Sequence, residues 1–174
     1  PEGIKVVTAS YVIVAETVTM AQEKLAVAES LAHPVDKLAL LSELLNFDFS
    51  RPNLDQVMTD ADLDEISGSR GMVETIISEG EDRYPTFREF IDNSARGTIH
   101  ELPKFIGTPN QIADEMEEWF TSEACDGFMV AATHLPGAYE DFVRLVVPEL
   151  QRRGLAQKEY SGRTLRDHLG LPRP

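Results

Sequence analysis

The feature that most limits how this chain folds is an apolar run that ends in glycine and passes at once into a capped helix, Phe105-Ile106-Gly107-Thr108-Pro109. Threonine is a favoured N-cap and proline suits the first helical position, so strand must give way to helix within two residues. Ile112, Met116, Trp119 and Phe120 then recur at helical spacing, which predicts a single apolar stripe facing a core. The same grammar appears twice more. Ile4 to Val14 is rich in β-branched and aromatic residues and reads as a buried strand. Thr17 or Thr19 can cap the helix that follows, and Gln22 lies three residues after Thr19, as a capping box requires. Ala21, Leu25, Ala28 and Ala32 share one face of that helix. Asp126-Gly127 is a turn, Phe128 to Ala132 a buried strand, and Gly137 opens a helix with the expected face Tyr139, Phe142, Val143 and Val146. Strands alternating with amphipathic helices pair in parallel through right-handed crossovers. The chain therefore reads as α/β with three strands, too few to close an eight-stranded barrel of about 250 residues.

Between the first and second of these units the pattern changes. His33-Pro34 stops the first helix, because the residue before proline is pushed out of the α region, and a second helix runs from about Val35 to Leu45. Residues 46–71 are turn-rich and acidic with no clear period. They read as a long excursion from the core, and unstructured loops beyond about 15 residues are usually lids or linkers. Short helices resume at Gly71–Ser78 and Thr86–Ser94. Near the end, Pro148 is expected to kink the last helix or restart a turn that finishes at Gly154.

Composition removes several functions. The net charge is −14 and the pI near 4.6, which argues against nucleic-acid binding, since that needs a basic face. No apolar run reaches the roughly 20 residues of a membrane-spanning helix. Cys125 is the single cysteine, so no internal disulfide forms and a reducing, cytoplasmic setting is expected. It precedes a turn without a neighbouring histidine, which gives a nucleophilic role no support. The run Asp60, Asp62, Asp64, Glu65 lacks the glycine and distal glutamate of a calcium loop and reads as a solvated face, so no metal is expected. No phosphate-loop or dinucleotide glycine pattern occurs. Residues 151–174 carry 6 basic and 2 acidic side chains, opposite in sign to the acidic remainder, so residues 155–174 are expected to pack on the body as an extension. The chain opens at Pro1 with neither an initiator methionine nor a signal segment, as a piece of a longer chain would.

Several words recur together and in order: Ala21-Gln22-Glu23-Lys24, Phe105 to Asp114, Cys125-Asp126-Gly127-Phe128, Pro148 to Gly154 and Thr164 to Gly170. In these words the chain resembles the C-terminal part of the bacterial luciferase-like FMN-dependent monooxygenases, in the branch that contains the nitrilotriacetate, dibenzothiophene-sulfone and pristinamycin enzymes. The resemblance implies a C-terminal portion of a TIM-type (β/α)8 barrel, about three βα units, with a long insertion. Residues 1–154 would form that partial barrel, interrupted at about 46–100. It further implies reduced FMN supplied by a separate NAD(P)H:flavin reductase, oxidation of a small organic substrate with O2, and a homo-oligomer. The main FMN site is expected upstream of Pro1, and the isolated chain is expected to be inactive.

Three residues are candidates for lining a substrate pocket. His134 follows the last strand at its C-terminal end, where barrel active sites lie. His100 stands just before a strand, where a neutral imidazole can hydrogen-bond a flavin or substrate oxygen or simply face solvent. Phe47, in the excursion, either covers an aromatic ligand or anchors the excursion by burial. Gly107-Thr108-Pro109 reads as a capped βα turn in preference to an anion site. The alternative to the enzyme reading is a non-catalytic α/β domain used for assembly, whose exposed strand edges would need a partner.

Overall fold

A computed structural model describes residues 4–78, 84–160 and 162–171. The expected insertion and C-terminal extension include residues 79–83, 161 and 172–174, which lie outside the described residues. Two compact units are present, one made of Pro1–Val27 with Leu102–Pro174, the other of Ala28–Glu101.

The first unit is built on a parallel sheet of three strands, β1 (Val7–Val14), β2 (Lys104–Gly107) and β3 (Gly127–Ala131), in the order β2-β1-β3. Tyr11 to Val14 register with Lys104 to Gly107, and Val7 to Tyr11 register with Gly127 to Ala131. The α/β class and the parallel pairing thus match the sequence reading. β2 and β3, consecutive along the chain, each pair with β1 and not with each other. β1 is the longest strand, and its C-terminal half, Val12 to Val14, is buried; a strand with these properties takes the centre, where both edges are paired. Strand order is a non-local choice, and the spacing of elements along the chain does not carry it.

Helix α1 (Val18–Ser30) starts at Thr17, whose Oγ1 accepts from Met20 N. The cap is therefore Thr17, and the box proposed for Thr19 and Gln22 does not form. Helix α6 (Pro109–Thr121) has the cap expected of it, with Thr108 Oγ1 accepting from Gln111 N and Gln111 Oε1 accepting from Thr108 N. Its stripe packs on the sheet. Val12, Val14, Phe105, Ile112, Met116 and Val146 form one core, with Trp119 and Phe128 closing on Phe105 at ring distances of 5.4 Å each. Phe120, expected in the stripe, is half exposed.

After β3 the chain forms α7 (Gly137–Asp141), a π-helical turn at Phe142–Val146 and α8 (Val147–Arg152). The wider turn corrects the predicted helix face: Val146 is fully buried, whereas Tyr139 and Val143 point to solvent. Pro148 has no N–H to give to the preceding turn, and a π bulge is a common way for a helix to absorb that loss. α9 (Leu165–His168) is a single capped turn, held by Thr164 and Asp167.

Arg153 ties the end of α8 to α6. Its guanidinium reaches Glu149 at 2.7 Å, Asp114 at 2.6 Å and Glu117 at 2.9 Å. Arg152 and Arg153 together hold the Glu149 carboxyl down at about 2, from an ordinary 4.5. A depressed carboxyl stabilises the fold above its unfolded value and loses that contribution as the acid range is entered. The stability difference between the natural chain and an Arg153→Met variant should therefore be full above pH 4.5 and vanish towards pH 2, as read by urea midpoints across that range.

The second unit is helical: the C-terminal end of α1, then α2 (Pro34–Leu45), α3 (Asp60–Glu65), α4 (Arg70–Ser78) and α5 (Phe87–Asn93). His33 does more than stop α1, since its Nδ1 caps α2 by accepting from Val35 N. The stretch 46–71, read as an excursion, supplies a core: Phe47, Phe49, Met58 and Ile66 are buried with Leu41, Leu45, Phe87 and Phe90. Its apolar residues follow no period because they enter from turns. Asn46 leaves α2 in the left-handed conformation at φ 50°, and Thr59 and Thr86 begin α3 and α5 with complete capping boxes. No helix of the described residues is long and apolar enough to cross a membrane.

Candidate functional site

Because the three strands are parallel, their C-terminal ends, Val14, Gly107 and Ala131, lie on one edge of the sheet. This is the edge at which ligands bind in parallel α/β folds. Ala15 N donates to Gly107 O at 3.1 Å, which fastens β1 to β2 at the edge. Gly107 has φ +152°, and a Cβ added there would sit 2.8 Å from Gln111 Oε1. The backbone conformation favours glycine here, and the glutamine that folds back over it is the one that completes the α6 cap. In that cap the N–H of Thr108 and that of Gln111 are both taken internally. The cap expected at Thr108-Pro109 is formed.

The connection from β3 to α7 carries His134. Its ring is exposed, with Nδ1 3.1 Å from Thr133 Oγ1, and it lies over Gly137, where an added Cβ would be 2.8 Å from Nε2. His134 is thus held at the sheet edge by one hydroxyl and one bare backbone position, with a face open to solvent.

The other two candidates belong to the helical unit. His100 is exposed, its Nε2 is 3.4 Å from Glu29 Oε1 and its N–H donates to Thr98 Oγ1. Phe47 is only 7% exposed, packed edge-on to Phe49 and parallel to Phe87. Within that unit His100 and Phe47 do not share a cavity: Phe47 is core, and His100 is on the surface.

Two features of this unit, one at the edge and one at the opposite end of β3, are not legible in the sequence. Lys24, part-buried in α1, donates to Val14 O at 2.9 Å and to Asp141 Oδ2 at 2.5 Å. Lys24, followed by Arg144, holds the Asp141 carboxyl below the ordinary carboxylate range. The words quoted around Lys24 marked the place, but its partners are too far along the chain to be inferred from spacing. The second is an apolar groove of about 260 Å³, lined by Met116, Phe120, Phe128, Phe142 and Leu155 with Asp126 at its rim. It sits at the start of β3, the end opposite to His134. Among the described residues no group of three or more His, Cys, Asp or Glu side chains is gathered as a metal site.

Comparison with known proteins places this geometry. No family profile matches the chain. It is 41% identical over 174 residues to nitrilotriacetate monooxygenase component A of Aminobacter aminovorans, a match that covers 99% of this chain and 38% of that protein. It is 35% identical over 185 residues to dibenzothiophene-sulfone monooxygenase of Rhodococcus erythropolis, covering 100% of this chain and 38% of the relative. Among solved structures, DmoA of Hyphomicrobium sulfonivorans superposes with a TM-score of 0.65 at 30% identity, over 95% of this chain and 34% of DmoA. The chain thus spans about two fifths of the length of the curated relatives it matches.

Proposed function

We propose that the chain belongs to the luciferase-like flavin monooxygenases as their C-terminal portion, and that it is one wall of the site in which reduced FMN and O2 oxidise a small organic substrate. The 41% identity across 174 residues carries this reading. The flavin, when bound, supplies the oxidative chemistry; the residues of this chain shape the site and exclude water.

The described residues fit a wall better than a grip. The N–H groups of Thr108 and Gln111 at the start of α6 are taken by the cap, and the Lys24 ammonium near the strand ends is committed to Val14 and Asp141. These commitments support a flavin phosphate site outside these residues. In this reading residues 1–154 are part of a (β/α)8 barrel, about three units of it, interrupted at about 46–100, and residues 155–174 are an extension lying on the body. His134 stands at the pocket rim as a hydrogen-bonding group, His100 is a second exposed imidazole able to meet a ligand, and Phe47 acts by holding its unit in shape. A separate NAD(P)H:flavin reductase, a cytoplasmic setting and a homo-oligomer complete the proposal.

The test is reductase-coupled O2 uptake by the longer protein that carries this segment, with FMN and NADH supplied. Substrate-dependent uptake that disappears without FMN is expected. Uptake that is independent of FMN, or absent with every aminopolycarboxylate, sulfone and sulfide offered, would leave the assembly-domain reading in its place.

A further inference from the structure

Lys24 has a partner 117 residues further along the chain. We infer that Lys24 and Asp141 form a clamp that fixes the β3–α7 connection, so that Lys24 is a positioning residue for His134.

The geometry is that of one ammonium closing two ends. Lys24 Nζ donates to the carbonyl of Val14, the last residue of β1, and to Oδ2 of Asp141, in the helix that begins just after His134. Asp141 Oδ1 accepts in turn from Arg144 at 2.9 Å. α7 has no side-chain cap of its own. Its backbone hold on the connection consists of Ala138 N to His134 O at 3.3 Å, Tyr139 N to Pro136 O at 3.1 Å and Glu140 N to Pro136 O at 3.3 Å. The place of His134 therefore depends on what anchors α7 to the sheet, and Asp141 is its charged anchor. Lysine suits the task because three donors on one compact ammonium serve a carbonyl and a carboxylate together. Both partners are partly withdrawn from water, with side-chain exposures of 37% and 23%; removing one leaves Asp141 only Arg144, or Lys24 only the Val14 carbonyl, and breaks the link between β1 and α7.

The clamp stands on geometry alone; its consequence for catalysis rests on the proposed monooxygenase function. Amide hydrogen exchange on the chain as it stands tests the first. Lys24→Met and Asp141→Asn should each speed exchange at Ala138 and Tyr139 by about tenfold, with Ile112 in α6 unchanged and Lys24→Arg within about threefold of the natural chain. Unchanged exchange at Ala138 and Tyr139, or an equal rise at Ile112, overturns the clamp. In the flavin-loaded longer protein, Lys24→Met should lower kcat about tenfold at unchanged flavin affinity, since small misplacements of a site group cost rate before binding. An unchanged kcat overturns the positioning role. A longer protein without any flavin-dependent activity overturns the proposed function instead, and the exchange result still decides the clamp.

Discussion

Replacing Phe49 by alanine should destabilise the helical unit by about 3–5 kcal/mol, the range for removing a fully enclosed aromatic ring. Phe49 has no exposed surface. Its ring meets Phe47 edge-on at 4.8 Å and stacks on Phe90 at 5.7 Å, and its N–H donates to Ser42 Oγ at 3.1 Å. The ring arrives from a turn and packs between Phe47 and the Phe87 and Phe90 rings of α5, so its removal leaves a cavity. Domains of this size are stable by about 5–15 kcal/mol, so the loss is a large part of the total. Urea unfolding followed by far-UV circular dichroism measures it. Phe120→Ala, at a ring that is half exposed, should cost under about 1 kcal/mol. Equal costs at the two positions would show that 46–71 is not a core.

The second large effect is expected at Gly68. A Cβ there would lie 2.4 Å from Leu44 O and 2.4 Å from Leu45 Cα. Both are backbone atoms of the last turn of α2, and neither can rotate away. Gly68 N also donates to Leu45 O at 3.0 Å, so the two chains are held at this separation. Gly68→Ala must push them apart and lose that bond, at about 3 kcal/mol, the upper end of overpacking costs. Gly71, three residues on and inside α4, has open space where its Cβ would be. Gly71→Ala should therefore be neutral or stabilising by up to about 1 kcal/mol, as helix propensity dictates. Thermal midpoints of the two variants should move in opposite directions; parallel shifts would refute the close approach at Gly68.

These positions also mark where the sequence could be read and where it could not. Caps are local, so Thr108, Pro109 and Gln111 announced both the end of β2 and the closed N-terminus of α6. The strands Val7–Val14 and Gly127–Ala131 were legible because β-branched and aromatic residues cluster in them. The order β2-β1-β3 was not, because pairing joins residues about 90 to 120 positions apart and leaves no mark on spacing. The core of the helical unit was missed for a related reason: Phe47, Phe49, Met58 and Ile66 converge from turns and so show neither a helical nor a strand period. Tyr139 and Val143 were assigned inwards on a period of 3.6 that the π-helical turn breaks. At the candidate site, the place of His134 just after a strand is legible in the sequence, whereas the pairing of Lys24 is not, because Asp141 lies 117 residues away.

In the proposed function this chain forms a wall of a flavin site and does not grip the flavin. Titration of FMN fluorescence tests it directly, on the 174-residue chain and on the longer protein that carries it. Saturable quenching by the longer protein, with none by the chain alone, is expected. Saturable binding by the chain alone, or no binding by the longer protein, would contradict it.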